Sequence, residues 1–214
     1  MEILARRLAR KVSVSLNYDE EKEAVIAYGL VAAIQILTTI LLVFLLGLIL
    51  GAMIEALIVC FSASILRKYS GGAHAGTAEI CTVFSSIFCA CAGLVSKKLL
   101  TGIYSSPVMA VVLIVIFCLS FIAVYKFAPV DSPNKPIRTE KKKKAMRKGS
   151  CVILVAYAVI SAVMFFFGER NGALKSYLIS MLFGIAWQIF TLTRLGALFI
   201  EKMNKLLMRK EVRG

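Results

Sequence analysis

The chain has 214 residues, 59% of them hydrophobic, with a mean hydropathy of +0.83. That is too apolar for an ordinary soluble domain. A formal net charge of +14 could suit nucleic acid, but the charges collect beside apolar runs, which points instead to contact with anionic lipid.

In chain order, residues 1–23 form a basic amphipathic N-terminus. Within MEILARRLARKVSVSL, Ile3, Leu4, Leu8 and Val12 share one face, and Arg6, Arg7, Arg10 and Lys11 occupy the rest. This is the pattern of a short helix lying in the membrane interface; a basic terminus serving only topology is the alternative. Asn17 and Asp19 can cap the helix that follows, with Glu20 and Glu21 in its first turn.

Apolar runs then occur at 24–50, 52–66, 80–95, 108–128, 151–167 and 177–200. A membrane helix needs about 20 residues. The first run is too long for the core of a signal peptide. In lipid only helices or closed barrels satisfy the backbone, and these runs lack the alternation of barrel strands. The predicted fold is all-α: a polytopic membrane protein with six transmembrane helices, forming one domain over 1–214. Gly47 and Gly51 match the small-xxx-small spacing for close helix approach, and they also offer a turn within the apolar stretch 24–65, the reading preferred here. Glu55 and Arg194 fall inside runs but within a few turns of helix ends, where their side chains can reach the interface.

Six spans leave seven flanking segments. Twenty-one Lys and Arg residues lie in the first, third, fifth and seventh, and four in the others. The positive-inside rule therefore places both termini and residues 67–81 on the cytoplasmic side. The segment 129–149, PVDSPNKPIRTEKKKKAMRKG, is predicted to be a basic cytoplasmic loop. Pro129, Pro133 and Pro136 interrupt helix, and Lys141, Lys142, Lys143 and Lys144 follow. It serves either to fix topology or to dock something acidic.

The six cysteines do not read as a secreted framework, because five lie in or at the edge of apolar runs. A metal site is not expected, since there is one histidine and Cys89 and Cys91 point to nearly opposite faces of a helix. Walker A, HExxH and G-x-S-x-G sequences are absent from the chain, as is a transporter-like internal repeat.

The chemistry concentrates in RKYSGGAHAGTAEIC, residues 67–81. Cys81 follows a polar, glycine-rich stretch and begins an apolar run, which places it in the first turn of a helix, where the dipole favours thiolate. His74 is the sole imidazole. On one straight helix the two side chains would share a face about 10.5 Å apart, whereas a hydrogen bond spans about 3 Å. If His74 serves Cys81, the chain must break between them. Gly71, Gly72 and Gly76 permit that break.

Arg67, Gly71, Gly72, His74 and Cys81, in this order and spacing, resemble the signature of the AgrB family, the membrane endopeptidases of bacterial quorum sensing. The similarity extends to length, span number, basic N-terminus and the basic loop before the last two spans. It implies a cysteine endopeptidase of the bacterial cell membrane acting on an AgrD-like propeptide. Cys81 would be the nucleophile and His74 the base. The enzyme removes the propeptide's C-terminal tail and joins the new end to an internal residue, usually cysteine, as a thiolactone. The resemblance also implies a homodimer. Arg67 and Ser70 are candidate supports for substrate or oxyanion, and Gly71 and Gly72 shape the segment. Lys141, Lys142, Lys143 and Lys144 are candidates for binding the substrate. No cofactor is called for, because exchanging one thioester for another needs no ATP. The rival readings are a non-catalytic peptide exporter or scaffold, and another cysteine-using membrane enzyme such as an acyltransferase.

Overall fold

The computed structural model describes residues 1–72, 77–130, 139–168 and 171–211, with side chains through residue 205. Among them are eight α-helices: α1 (Glu2–Leu16), α2 (Glu20–Ile49), α3 (Met53–Ser70), α4 (Ala78–Val95), α5 (Ser106–Phe127), α6 (Glu140–Gly168), α7 (Gly172–Leu192) and α8 (Arg194–Glu211). A π-helical turn, Ser96–Leu100, extends α4. The all-helical expectation holds, and five helices are long and apolar enough to cross a membrane: α2, α4 with its π turn, α5, α6 and α7.

α3 is the exception. It has 18 residues, about 27 Å of helix at 1.5 Å per residue, and it carries Glu55, Ser62, Ser64, Arg67 and Lys68. It packs against α2, α4, α6 and α7, so much of its surface meets protein and its polarity is tolerated there. Glycines on its neighbours bring the backbones close. A Cβ on Gly184 of α7 would lie 2.6 Å from the Val59 carbonyl, and one on Gly47 of α2 would lie 2.8 Å from Met53 Cα. Small residues at such crossings are how helices associate without a hydrophobic driving force. Gly47 and Gly51 thus divide the roles proposed for them: Gly47 packs, and Gly51, at φ +67, turns the chain into α3.

Asp19 caps α2 by accepting from Lys22 N at 2.9 Å. Asn17 does not share that task. It adopts φ +50 and ends α1, a role its tolerance of left-handed backbone suits. α1 buries Ala5, Ala9 and Ser13 and packs on α2.

Three features differ from the sequence reading. The last apolar run does not continue to residue 200. α7 stops at Leu192, and Thr193 is extended with ψ 158. The Thr193 hydroxyl then accepts from Gly196 N at 3.1 Å to start α8. Arg194 is consequently an exposed residue opening α8 rather than an intramembrane charge. Second, the basic segment is a loop only in part, because α6 begins at Glu140 and carries all four lysines on its first turns. Third, Glu55 is buried by protein rather than extended to the surface. It is 3% exposed, accepts from Ser176 Oγ at 3.0 Å, and pairs with Lys97 Nζ at 3.7 Å.

Candidate active site

α3 ends at Ser70 and α4 begins at Ala78, so Arg67 and Cys81 do not lie on one unbroken helix. His74 itself lies outside the described residues. Cys81 does not: Thr77 caps α4 by accepting from Ile80 N at 3.2 Å, and Cys81 N donates to the Thr77 carbonyl at 3.1 Å. Cys81 is half-buried in the first turn of α4. Arg67, in the last turn of α3, is close enough for a Coulombic interaction with Cys81. Glu79 faces outward and binds the amine of Met1 at 2.8 Å, so the start of α1 sits beside the first turn of α4.

The departure from α3 is tightly held. Gly71 has φ +69 and Gly72 φ +141, values that L side chains rarely adopt. Gly71 forms a parallel bridge with Val130, and Val130 N donates to the Ser70 carbonyl at 2.9 Å. From α7, Gln188 Nε2 donates to Ser70 Oγ at 2.9 Å and to the Gly71 carbonyl at 2.6 Å. Thr191, one turn further, stands against Gly72, where a Cβ would approach its hydroxyl to 2.8 Å. Ser70 is fully buried, and its hydroxyl donates to the Leu66 carbonyl at 3.0 Å while receiving Gln188. Its hydrogen bonds are thus spent on the fold of the segment.

Below Cys81, Phe84 and Phe88 follow at helical spacing on the same face of α4. Trp187 of α7 stacks on Phe88 at 4.2 Å and lies 5.7 Å from Phe84. Phe199 of α8 closes on Phe84 at 6.3 Å. An aromatic cluster therefore joins α4, α7 and α8 one to two turns after Cys81.

The lysines are less directly placed. Lys141, Lys142 and Lys144 are exposed on the first turns of α6, and Lys143 pairs with Glu140 at 2.9 Å. Further along α6, Arg147 Nε donates to the Ala128 carbonyl at 2.9 Å, and Gly149 packs against the ring of Tyr69. The basic end of α6 is thereby tied through 128–130 to Ser70, although the lysines themselves do not touch the segment in any contact described. Cys89 is buried and Cys91 exposed, on different faces of α4.

Sequence reasoning missed Gln188 and Thr191. The available signal was an amide inside the run 177–200, since a polar group at membrane depth needs a partner.

The sequence profile of the family Accessory gene regulator B, AgrB, matches residues 5–192. A "Putative AgrB-like protein" of Clostridium perfringens strain SM101 is 42% identical over 213 residues, covering 97% of this chain and all of that protein. "Putative AgrB-like protein 2" of Clostridium perfringens strain 13 matches to the same extent. A "Putative AgrB-like protein" of Halalkalibacterium halodurans is 23% identical over 211 residues, covering 98% of this chain and 95% of its own length. No solved structure matches. With the profile spanning most of the chain and relatives at this identity over nearly their full length, the chain belongs to the AgrB family.

Proposed function

We propose that the protein is a membrane cysteine endopeptidase that cuts an AgrD-like propeptide and cyclises its core. Family membership implies a role in the agr quorum-sensing system. The observation that carries the enzymatic reading is the placement of Cys81. It sits in the first turn of α4, near Arg67, directly after a break held open by two glycines in unusual backbone conformations.

In this mechanism His74 takes the Cys81 proton and the thiolate attacks the scissile carbonyl carbon. Collapse of the tetrahedral adduct breaks the C–N bond. The departing amine, at the head of the tail peptide, receives the proton from His74. The core remains as a thioester on Cys81. A thiol of the core then attacks that carbonyl, giving its proton to His74, and Cys81 leaves as thiolate. One thioester replaces another, so no energy source is needed. Water competes at the second step, and the aromatic surround of Phe84, Phe88 and Trp187 disfavours it. Arg67 supports the substrate or the oxyanion, while Lys141, Lys142, Lys143 and Lys144 attract an acidic tail.

The same reading takes α3 as a sixth span sheltered by its neighbours, with both termini cytoplasmic in the bacterial cell membrane, and the protein as a homodimer in lipid. The rival, a non-catalytic exporter or scaffold, accounts for the helices but leaves the Cys81 turn without a purpose. Co-expression with a candidate propeptide and mass spectrometry of the products decides between them. A cyclic core together with a free tail is expected from the wild type, and full-length linear propeptide from Cys81→Ala. Intact processing by Cys81→Ala would end the mechanism.

A further inference from the structure

We propose that Gln188 of α7 is a positioning residue for this reaction: its amide fixes how the chain leaves α3 and so how the segment bearing His74 is presented to Cys81. The proposal rests on the cysteine-endopeptidase reading.

Gln188 is fully buried in a helix long and apolar enough to cross a membrane. An amide there is costly unless every hydrogen is used. Both are: one goes to Ser70 Oγ at 2.9 Å and the other to the Gly71 carbonyl at 2.6 Å. Its oxygen faces the Thr191 hydroxyl at 3.4 Å, and that hydroxyl in turn bounds Gly72. The amide thus grips a pair of residues 117 and 118 positions away in sequence.

What it grips decides its role. Glycine has broad backbone freedom, so Gly71 and Gly72 could leave α3 in many directions. Their observed φ values of +69 and +141 are selected by partners: Gln188 on the Gly71 carbonyl, Val130 alongside, and Thr191 behind Gly72. At the far side the Thr77 cap fixes the start of α4. Only residues 73–76 lie between these two anchors, and His74 is two positions past Gly72. Moving Gly71 by about 1 Å is enough to spoil a hydrogen bond from imidazole to thiol, since such bonds weaken steeply with distance and angle. Packing alone does not call for the amide. Methionine has nearly the same volume and flexibility and would fill the same space between α3 and α7.

The test uses the full-length protein in membranes and needs no propeptide. The rate of Cys81 alkylation by iodoacetamide is followed from pH 5 to 9 (a range about the free imidazole and thiol values) by mass spectrometry of the Cys81 peptide. A histidine-paired thiolate reacts at acid pH where a free thiol does not. Wild type is expected to exceed His74→Ala by about tenfold at the acid end, with Gln188→Met following His74→Ala. Gln188→Glu provides the rescue: a protonated carboxyl can donate to the Gly71 carbonyl and an ionised one cannot, so its rate relative to wild type should climb as pH falls. If wild type and His74→Ala coincide, the His–Cys pair itself is refuted. If they differ while inserted Gln188→Met tracks wild type, the pair stands and the role of Gln188 is overturned. Should Gln188→Met fail to accumulate, Gln188→Glu decides alone, and a ratio to wild type that does not change with pH overturns the proposal.

Discussion

Gly72 has almost no freedom to become anything else. Gly72→Ala meets an unfavourable φ and the Thr191 hydroxyl together, a strain of about 1–3 kcal/mol in a segment with no slack. Processing should fall sharply although the protein still inserts, as a cleavage assay on membranes would show. Gly29→Ala is the control. Its Cβ meets nothing within 4 Å in mid-helix, and alanine there should raise stability by about 0.5–1 kcal/mol in thermal unfolding while activity is kept. Cysteine replacement separates in the same way. Cys81→Ala should abolish cleavage, whereas Cys91→Ala, on an exposed face of α4, should keep it. The glycines and Cys81 were legible in the sequence because they depart from their surroundings: a polar, flexible stretch between apolar runs is visible locally. Gln188 was not. Its meaning depends on Ser70 and Gly71, and nothing near residue 188 announces that a helix will bring them together. Ser70, in turn, was read as a support for substrate, and its location in the core of that contact could not be inferred from its neighbours in the chain.

Among the elements, hydropathy located the helices but misjudged where two of them begin or end. The apolar run 177–200 looks continuous because Leu195, Ala197, Leu198, Phe199 and Ile200 extend it. The break comes from the Thr193 hydroxyl capping α8 and from Gly196 allowing close approach to Phe190. Such local hydrogen bonding leaves no trace in average hydrophobicity. The start of α6 was hidden differently, since prolines at 129, 133 and 136 suggested a loop throughout while the lysine-rich residues after them are good helix formers. A rigid helical end presenting lysines and a flexible loop carrying them differ in effect. Neutralising Lys141, Lys142, Lys143 and Lys144 to glutamine should raise KM for the propeptide and leave kcat nearly unchanged, with wild type more sensitive to salt. Arg147 belongs to another class. It holds the Ala128 carbonyl, and through Val130 that segment holds Ser70, so Arg147→Gln should lower kcat more than it alters KM. Steady-state kinetics on both variants separates attraction of the substrate from support of the site.

At the scale of the molecule, a second polar cluster at the other end of α3 has a structural reading. Glu55 joins the start of α3 to Ser176 on α7 and to Lys97 on the π turn after α4. Removing the cation strands a buried carboxylate, although Lys97 is half exposed and water tempers the loss. Lys97→Met should therefore destabilise by about 1–3 kcal/mol, and adding Glu55→Gln, which keeps an acceptor for Ser176, should recover much of it in thermal unfolding. This cluster, together with the glycine crossings, ties α3 to α2, α4 and α7. The consequence concerns synthesis at the ribosome. A segment with Glu55, three serines, Arg67 and Lys68 is a poor candidate for entering lipid by its own hydrophobicity. Its partner α7 begins at residue 172, 102 positions after α3 ends at Ser70. Until α7 is made, α3 lacks both Ser176 for Glu55 and Gln188 for its C-terminal end. Nascent chains halted before residue 172 should leave Ser62, which is buried in the full structure, open to a water-soluble maleimide when replaced by cysteine, and chains extended past Leu192 should close it. On the proposed reading of α3 as a sixth span, its polarity delays its settling in the bilayer until α7 is made.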